Sequence, residues 1–255
     1  MLAENLHRVR ERIQGACHRA GRDPSSVTLV CVTKHVPLER IREAVALGVT
    51  DIGENRVQDA RAKHTVLGSA VRWHLIGHLQ RNKAKPAVEL FDMIHSVDSG
   101  ELASELDRQV SRKASSPARR TPPAAHNTPR LEVLIQVNVA GEAAKFGCRP
   151  EQARTVADAV RALPHLALCG LMTIPPLVDD PEQARPHFRR LRELRDDLAA
   201  ALNLDRSTLN LSMGMSHDFE VAIEEGADVV RIGTAIFGTR PQQREGRGDE
   251  GSLPE

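Results

Sequence analysis

A few side chains in this 255-residue chain are of types that do chemistry, and their surroundings say of what kind. Lys34 closes the apolar run Val27–Lys34. A lysine so placed is expected to be partly buried. Burial removes hydration from the ammonium, lowers its pKa and leaves the neutral amine that attacks a carbonyl. By position alone, a plain surface lysine at a strand end stays ahead of that reading. Ser212-Met213-Gly214-Met215-Ser216 precedes a helical stretch, and Gly233-Thr234 ends the last apolar run. Backbone N–H groups at a helix start attract an anion, and glycine lets it approach closely. A capping role for Ser216 is the other reading and is compatible with the first. Arg231 lies within Val229–Gly233. A charge inside a core strand needs either a ligand or an acidic partner. His74 and His78 are four apart, but their segment reads as a strand ending at Gly77, so no metal site is expected. No carboxylate pair, Ser-His-Asp set or Cys cluster is evident, and Glu142 and Lys145 read as loop-forming residues.

The elements that must position these residues alternate. Eight runs read as strands: Val27–Lys34, Thr50–Gly53, Trp73–Gly77, Met93–Val97, Leu131–Val139, Leu166–Met172, Leu209–Ser212 and Asp228–Gly233. Between them lie helical stretches over about Leu38–Leu47, Arg56–Val66, Asn82–Leu90, Gly100–Arg112, Glu151–Ala162, Pro181–Leu202 and His217–Glu225. Phe188, Leu191, Leu194, Leu198 and Leu202 give the sixth interval one apolar stripe. Ahead of all this, Leu2, Leu6, Val9, Ile13 and Ala16 recur at helical spacing, with Gly21 and Pro24 as the stop. Eight βα units at this length predict an α/β fold, a single (β/α)₈ TIM barrel with an extra N-terminal helix. In such a barrel the site lies at the carboxyl ends of the strands, where polar residues and glycines collect here. Residues 1–240 are expected to form the barrel. The Pro-, Ser- and Arg-rich stretch 114–130 reads as a disordered insert, and 241–255 as a flexible tail.

Composition narrows the class. Aromatic residues are 2% of the chain, with one Trp, five Phe and no Tyr, so the core must be aliphatic. Net charge is +1, which gives no global pull toward nucleic acid or an anionic membrane. No apolar run has the length of a membrane span, and the N-terminal segment lacks the apolar region of a signal peptide. Cys17, Cys31, Cys148 and Cys169 are scattered, which fits a reducing cytoplasm rather than disulfides or structural zinc.

The blocks TKHVPLERIREAVALGVTDIGENRVQDA, WHLIGHLQRNK, IHSVDS, VNVAGEAAKFG, GLMTI, LSMGMSHDFEVAI and VRIGTAIFG occur in that order. Together they resemble the pyridoxal phosphate homeostasis (YggS-like) proteins, barrels similar to the N-terminal domain of alanine racemase. The resemblance runs from about Val27 to Gly238, with a gap at the Pro-rich insert. It implies that the chain binds pyridoxal 5′-phosphate (PLP) as an internal aldimine on Lys34. The phosphate would be held by Ser216, Gly233 and Thr234, helped by Ser212 and Met213. Arg231 would face the pyridine nitrogen, and Asn55 would lie near the cofactor. The chain departs from the family pattern at Arg56, where a Tyr is usual, and at Arg81, where a Ser is common.

An arginine at the pyridine nitrogen only donates hydrogen bonds, so it disfavours the protonated ring and weakens the cofactor as an electron sink. Alanine racemase has this arginine as well, but adds a tyrosine base from a second domain. This chain contains no tyrosine, which excludes a two-base racemase of that design. The expected function is therefore non-catalytic: intracellular PLP homeostasis by buffering or delivery, by a monomer whose partners are PLP and PLP-dependent apoenzymes. A PLP-dependent racemase or lyase using a base such as His78 or Lys145 is the alternative. A class I aldolase-type barrel comes third.

Overall fold

Eight short apolar runs become eight parallel strands that close on themselves. They are β1 (Thr28–Val32), β2 (Asp51–Glu54), β3 (Arg72–Leu75), β4 (Met93–Val97), β5 (Leu131–Gln136), β6 (Leu166–Met172), β7 (Asn210–Ser212) and β8 (Val229–Ile232). Pairing follows chain order, and Val30 opposite Arg231 closes the ring between β1 and β8. This computed structural model describes residues 1–115, 130–142 and 145–238. Most of the expected insert, 116–129, and the tail lie outside the described residues.

The helices are α1 (Leu2–Arg19), α2 (Leu38–Ala46), α3 (Val57–Leu67), α4 (Ala84–Leu90), α5 (Gly100–Ala114), α6 (Ala153–Arg161), α7 (Arg185–Ala201), α8 (Phe219–Glu224) and α9 (Thr234–Phe237). The expected TIM barrel with a leading helix is what the chain forms. The strands are shorter than their apolar runs: β1 stops at Val32, two residues before Lys34, and β5 stops at Gln136. Short 3₁₀ turns account for the first residues of three expected helices, at Arg81–Lys83, Pro150–Gln152 and Pro181–Ala184. Ala114, expected within the insert, is the last residue of α5.

α9 has four residues, too few to cover the seam between β8 and β1. The leading helix α1 does so instead, burying Leu2, Leu6, Val9, Ile13, Ala16 and Cys17 while packing on α8 and α9. Polar contacts fix its angle. Asn5 donates to the Ile236 carbonyl at 3.1 Å, and Arg12 pairs with Glu220 at 2.6 Å. Just beyond the helix, Arg22 donates to the Ile223 and Ala227 carbonyls and to Asp228. Most of the apolar core is the layer between strands and helices, including Cys31, Ile52, Trp73, Phe188 and Phe219. A separate small cluster, Met93, Leu134 and Met172, fills part of the barrel interior. Part of the remaining interior is polar, and that part leads to the site.

Candidate functional site

Strand alternation sends every second side chain into the barrel. Asp51 of β2, His74 of β3, His95 of β4, Ser212 of β7 and Arg231 of β8 all point inward and meet. Asp51 Oδ1 lies 2.8 Å from His74 Nε2, and His74 Nδ1 lies 2.9 Å from His95 Nε2. His95 Nδ1 lies 2.9 Å from Ser212 Oγ. Arg231 donates to Ser212 Oγ at 2.6 Å and to the Thr173 carbonyl at 2.9 Å. His74, His95, Ser212, Thr173 and Arg231 are all buried.

Arg231 was expected to need a ligand or an acidic partner. Its protein partners are instead a hydroxyl and a carbonyl. No ion pair to it occurs among the described residues. Burial pushes its pKa down to about 10, and the charge of Asp218 works against that fall. Asp218 is itself raised by burial, offset by the Met215 N–H that its carboxylate accepts at 2.6 Å.

The β7 and β8 corners come together at Ser216. Its hydroxyl oxygen accepts from the Gly233 N–H at 3.2 Å and the Ala235 N–H at 3.3 Å. Ser216 therefore does not cap α8, which begins three residues later; it sits against the start of α9. Thr234, the first residue of α9, is exposed. Gly214, at φ +92°, is required here: a Cβ would stand 2.6 Å from the Ala222 side chain. Met213 is not brought to this corner. Its side chain lies in the outer core, and its N–H is taken by the Val229 carbonyl, because it follows inward-pointing Ser212 by one residue.

Lys34 is exposed rather than partly buried, because it lies in the turn after β1. The turn itself is firmly held. Lys63 of α3 donates to the Thr33 carbonyl at 2.6 Å and to Glu54 Oε1 at 2.5 Å, and Thr33 Oγ1 donates to the same Glu54 oxygen. A cavity of about 690 Å³ is lined by Lys34, Asn55, Arg56, His78, Lys83 and Phe146, among others. Gly77 lies flat on Asn55, where a Cβ would stand 2.3 Å from the Asn55 carbonyl oxygen. His78 stacks on Phe146, with ring centroids 3.9 Å apart and planes 8° from parallel. His74 lies on β3 and His78 beyond its end, and among the described residues no group of three or more His, Cys, Asp and Glu is arranged for a metal. Glu142 and Lys145 pair at 3.0 Å, and their carbonyls accept from Asn138, so they shape the loop that presents Phe146.

Sequence reasoning missed His95 and Asp51 altogether. Each is a titratable residue within a strand run, Asp51 between Thr50 and Ile52 and His95 between Ile94 and Ser96, and that was the available signal. Phe146 carried no signal, since its ring partner is distant in sequence. The departures Arg56 and Arg81 are both exposed, Arg56 on the Lys34 cavity and Arg81 on a neighbouring hollow beside α5.

The family model described as the alanine racemase N-terminal domain matches residues 4–241, the barrel from end to end. Alanine racemase from Clostridium difficile shares the fold with a TM-score of 0.67 over 95% of this chain and 57% of that one, at 14% identity. A nearer class stands within that fold. The pyridoxal phosphate homeostasis protein of Aquifex aeolicus is 46% identical over 93% of this chain and 97% of its own length. That of Pseudomonas aeruginosa is 45% identical over 94% and 96%. PipY of Synechococcus elongatus, solved with PLP bound, superposes with a TM-score of 0.76 over 93% of this chain and 100% of that one, at 34% identity. The chain belongs to the pyridoxal phosphate homeostasis protein family.

Proposed function

We propose that this protein binds PLP at the carboxyl end of its barrel and holds it for intracellular PLP homeostasis, as a buffer or a donor to PLP-dependent apoenzymes. The observation that carries the reading is Arg231. Arg231 is 3% exposed, and among the described residues its guanidinium donates to a hydroxyl and a carbonyl and forms no ion pair. A buried cation so placed fits a neutral acceptor such as a pyridine nitrogen. Ser216, Gly233 and Thr234 would hold the phosphate, where the start of α9 and the β7–β8 corner offer N–H groups and hydroxyls. Asn55 lines the cavity beside Lys34. Ser212 would act through Arg231, whereas Met213, in the outer core, has no direct role in this reading. Bound there, the cofactor would supply an aldehyde that condenses with a primary amine, and Lys34 Nζ would be that amine, with Lys83 on the same cavity. An exposed lysine at the rim suits a cofactor that is taken up and given away.

The non-catalytic reading is supported by the donor-only partner at the ring nitrogen and by the absence of tyrosine from the chain. A cytoplasmic monomer with a single domain, residues 1–240, is part of the same proposal. No helix among the described residues is long and apolar enough to cross a membrane, and the four cysteines are free.

The test is direct. Mixed with PLP, the protein is expected to show a visible absorbance band, and borohydride followed by peptide mass mapping is expected to place the reduced cofactor on Lys34. Lys34→Ala should lose both signals while keeping the wild-type melting curve. Labelling at another lysine, or none, would overturn the assignment.

A further inference from the structure

The line Asp51–His74–His95–Ser212–Arg231 has a polarity that its two ends dictate. A guanidinium can only donate, and an ionised carboxylate can only accept. Arg231 gives a hydrogen to Ser212 Oγ. Among the described residues the Ser212 hydroxyl has one other polar contact, His95 Nδ1, so its own hydrogen goes there and Nδ1 must be a bare acceptor. His95 then carries its proton on Nε2 and donates to His74 Nδ1. His74 in turn carries its proton on Nε2 and donates to Asp51 Oδ1. Every hydrogen has an acceptor, and both rings are neutral.

The reverse arrangement fails at both ends. If His95 donated to Ser212 from Nδ1, the hydroxyl hydrogen would have no acceptor. His74 would then need both ring protons to donate to His95 and Asp51, which adds an imidazolium to an interior that already holds Arg231. The charged groups around the line are Arg231 and Arg72, with Asp51 and Asp218 opposite in sign. A further buried cation beside two arginines is unfavourable.

We propose that Asp51, His74, His95 and Ser212 are positioning residues for Arg231: a one-way line of hydrogen bonds that fixes its orientation and links it across the barrel to the carboxylate of Asp51. The proposal deepens the PLP reading and rests on it for the last step, from Arg231 to the cofactor ring. Each bond in such a line polarises the next. It keeps Arg231 a committed donor without placing a carboxylate beside the cofactor.

Two measurements test this. The first uses the full chain without cofactor. Long-range ¹H–¹⁵N spectra of the imidazoles, assigned with His74→Gln and His95→Gln, are expected to show both rings neutral with the proton on Nε2. A doubly protonated His74, or a proton on His95 Nδ1, overturns the line. The second compares His95→Gln with His95→Leu in PLP-loaded protein. A glutamine amide can accept from Ser212 and donate onward, whereas leucine can do neither. His95→Leu is expected to release PLP about tenfold more readily and to shift the absorbance band, the scale of one lost hydrogen bond. His95→Gln is expected to retain the wild-type band. Equal effects in the two variants overturn the proposal. Should His95→Leu fail to fold, Ser212→Ala cuts the same line with a smaller change, and an unshifted band there would count against it. Failure of wild-type protein to bind PLP would sink the functional reading, while the imidazole spectra would still decide the hydrogen-bond line.

Discussion

At the scale of single residues, His95 shows how burial selects a protonation state. It sits inside the barrel, and its pKa is held well below the usual histidine value, first by burial and then by the neighbouring His74, Arg231 and Arg72. The unfolded chain binds a proton at this residue near pH ~6.5, whereas the folded chain does not until the solution is much more acid. The unfolded state therefore gains protons first as the pH falls. His95 contributes stability that is fully present above that pH and is lost as the pH drops toward its folded pKa, at up to about 1.4 kcal/mol per pH unit. Urea unfolding at pH 7, 6 and 5 should show a shallower loss in His95→Gln than in wild type. Parallel curves would mean that His95 titrates in the folded protein. Asp51, at the far end of the line, behaves in the opposite sense to a buried acid. Burial works to raise its pKa, but hydrogen bonds from His74 and Thr50, with Arg72 nearby, hold it below the usual carboxylate range.

At the scale of elements, the end of β1 is pinned to β2 and α3 by three side chains. Glu54 is fully buried, and one of its oxygens accepts from both Lys63 and Thr33, while Lys63 also holds the Thr33 carbonyl one residue before Lys34. Lys63→Met removes the cation and leaves Glu54 buried and unpaired. The expected cost is about 3–5 kcal/mol by chemical denaturation, with weaker PLP retention because the turn carrying Lys34 loses its anchor. A variant as stable as wild type would show that Glu54 is neutral or solvated in the folded state. This clamp also marks how far the fold was legible. Apolar runs and helical spacing sufficed for eight strands, seven intervening helices and the leading helix, because those patterns are local. The end of β1 was not legible, because hydrogen bonds to Glu54 and Lys63 decide where the strand gives way to a turn. Lys34 is exposed for that reason. α9 was missed because Thr234–Phe237 is too short to show a helical period. Ser212 and Met213 were read as neighbours in one cup, but alternation in β7 sends one inward and the other into the outer core. Arg231 was recognised as anomalous in its strand, yet its route through Ser212 to His95, His74 and Asp51 crosses four other strands and leaves no spacing signal.

At the scale of the whole molecule, the question is whether a barrel with this site catalyses or carries. Racemisation and elimination both require removal of a Cα proton by a base aimed at it, and a cofactor ring able to accept the resulting charge. The chain has no tyrosine to serve as the second base. The proposed ring-nitrogen partner is Arg231, which the proposed hydrogen-bond line links through Ser212 and two histidines to Asp51. His78 and Lys145, the other bases considered, are both engaged. His78 is stacked on Phe146 and 3.6 Å from Asp98, and Lys145 is paired with Glu142. PLP-loaded protein incubated with alanine, serine and other amino acids in deuterium oxide is therefore expected to exchange their Cα protons no faster than free PLP does, as followed by ¹H NMR. Rapid, stereospecific exchange would make the racemase or lyase reading the correct one. His78→Phe would then identify the base: it keeps the stack on Phe146 and removes the imidazole from that cavity wall, so loss of exchange in this variant would assign the proton transfer to His78.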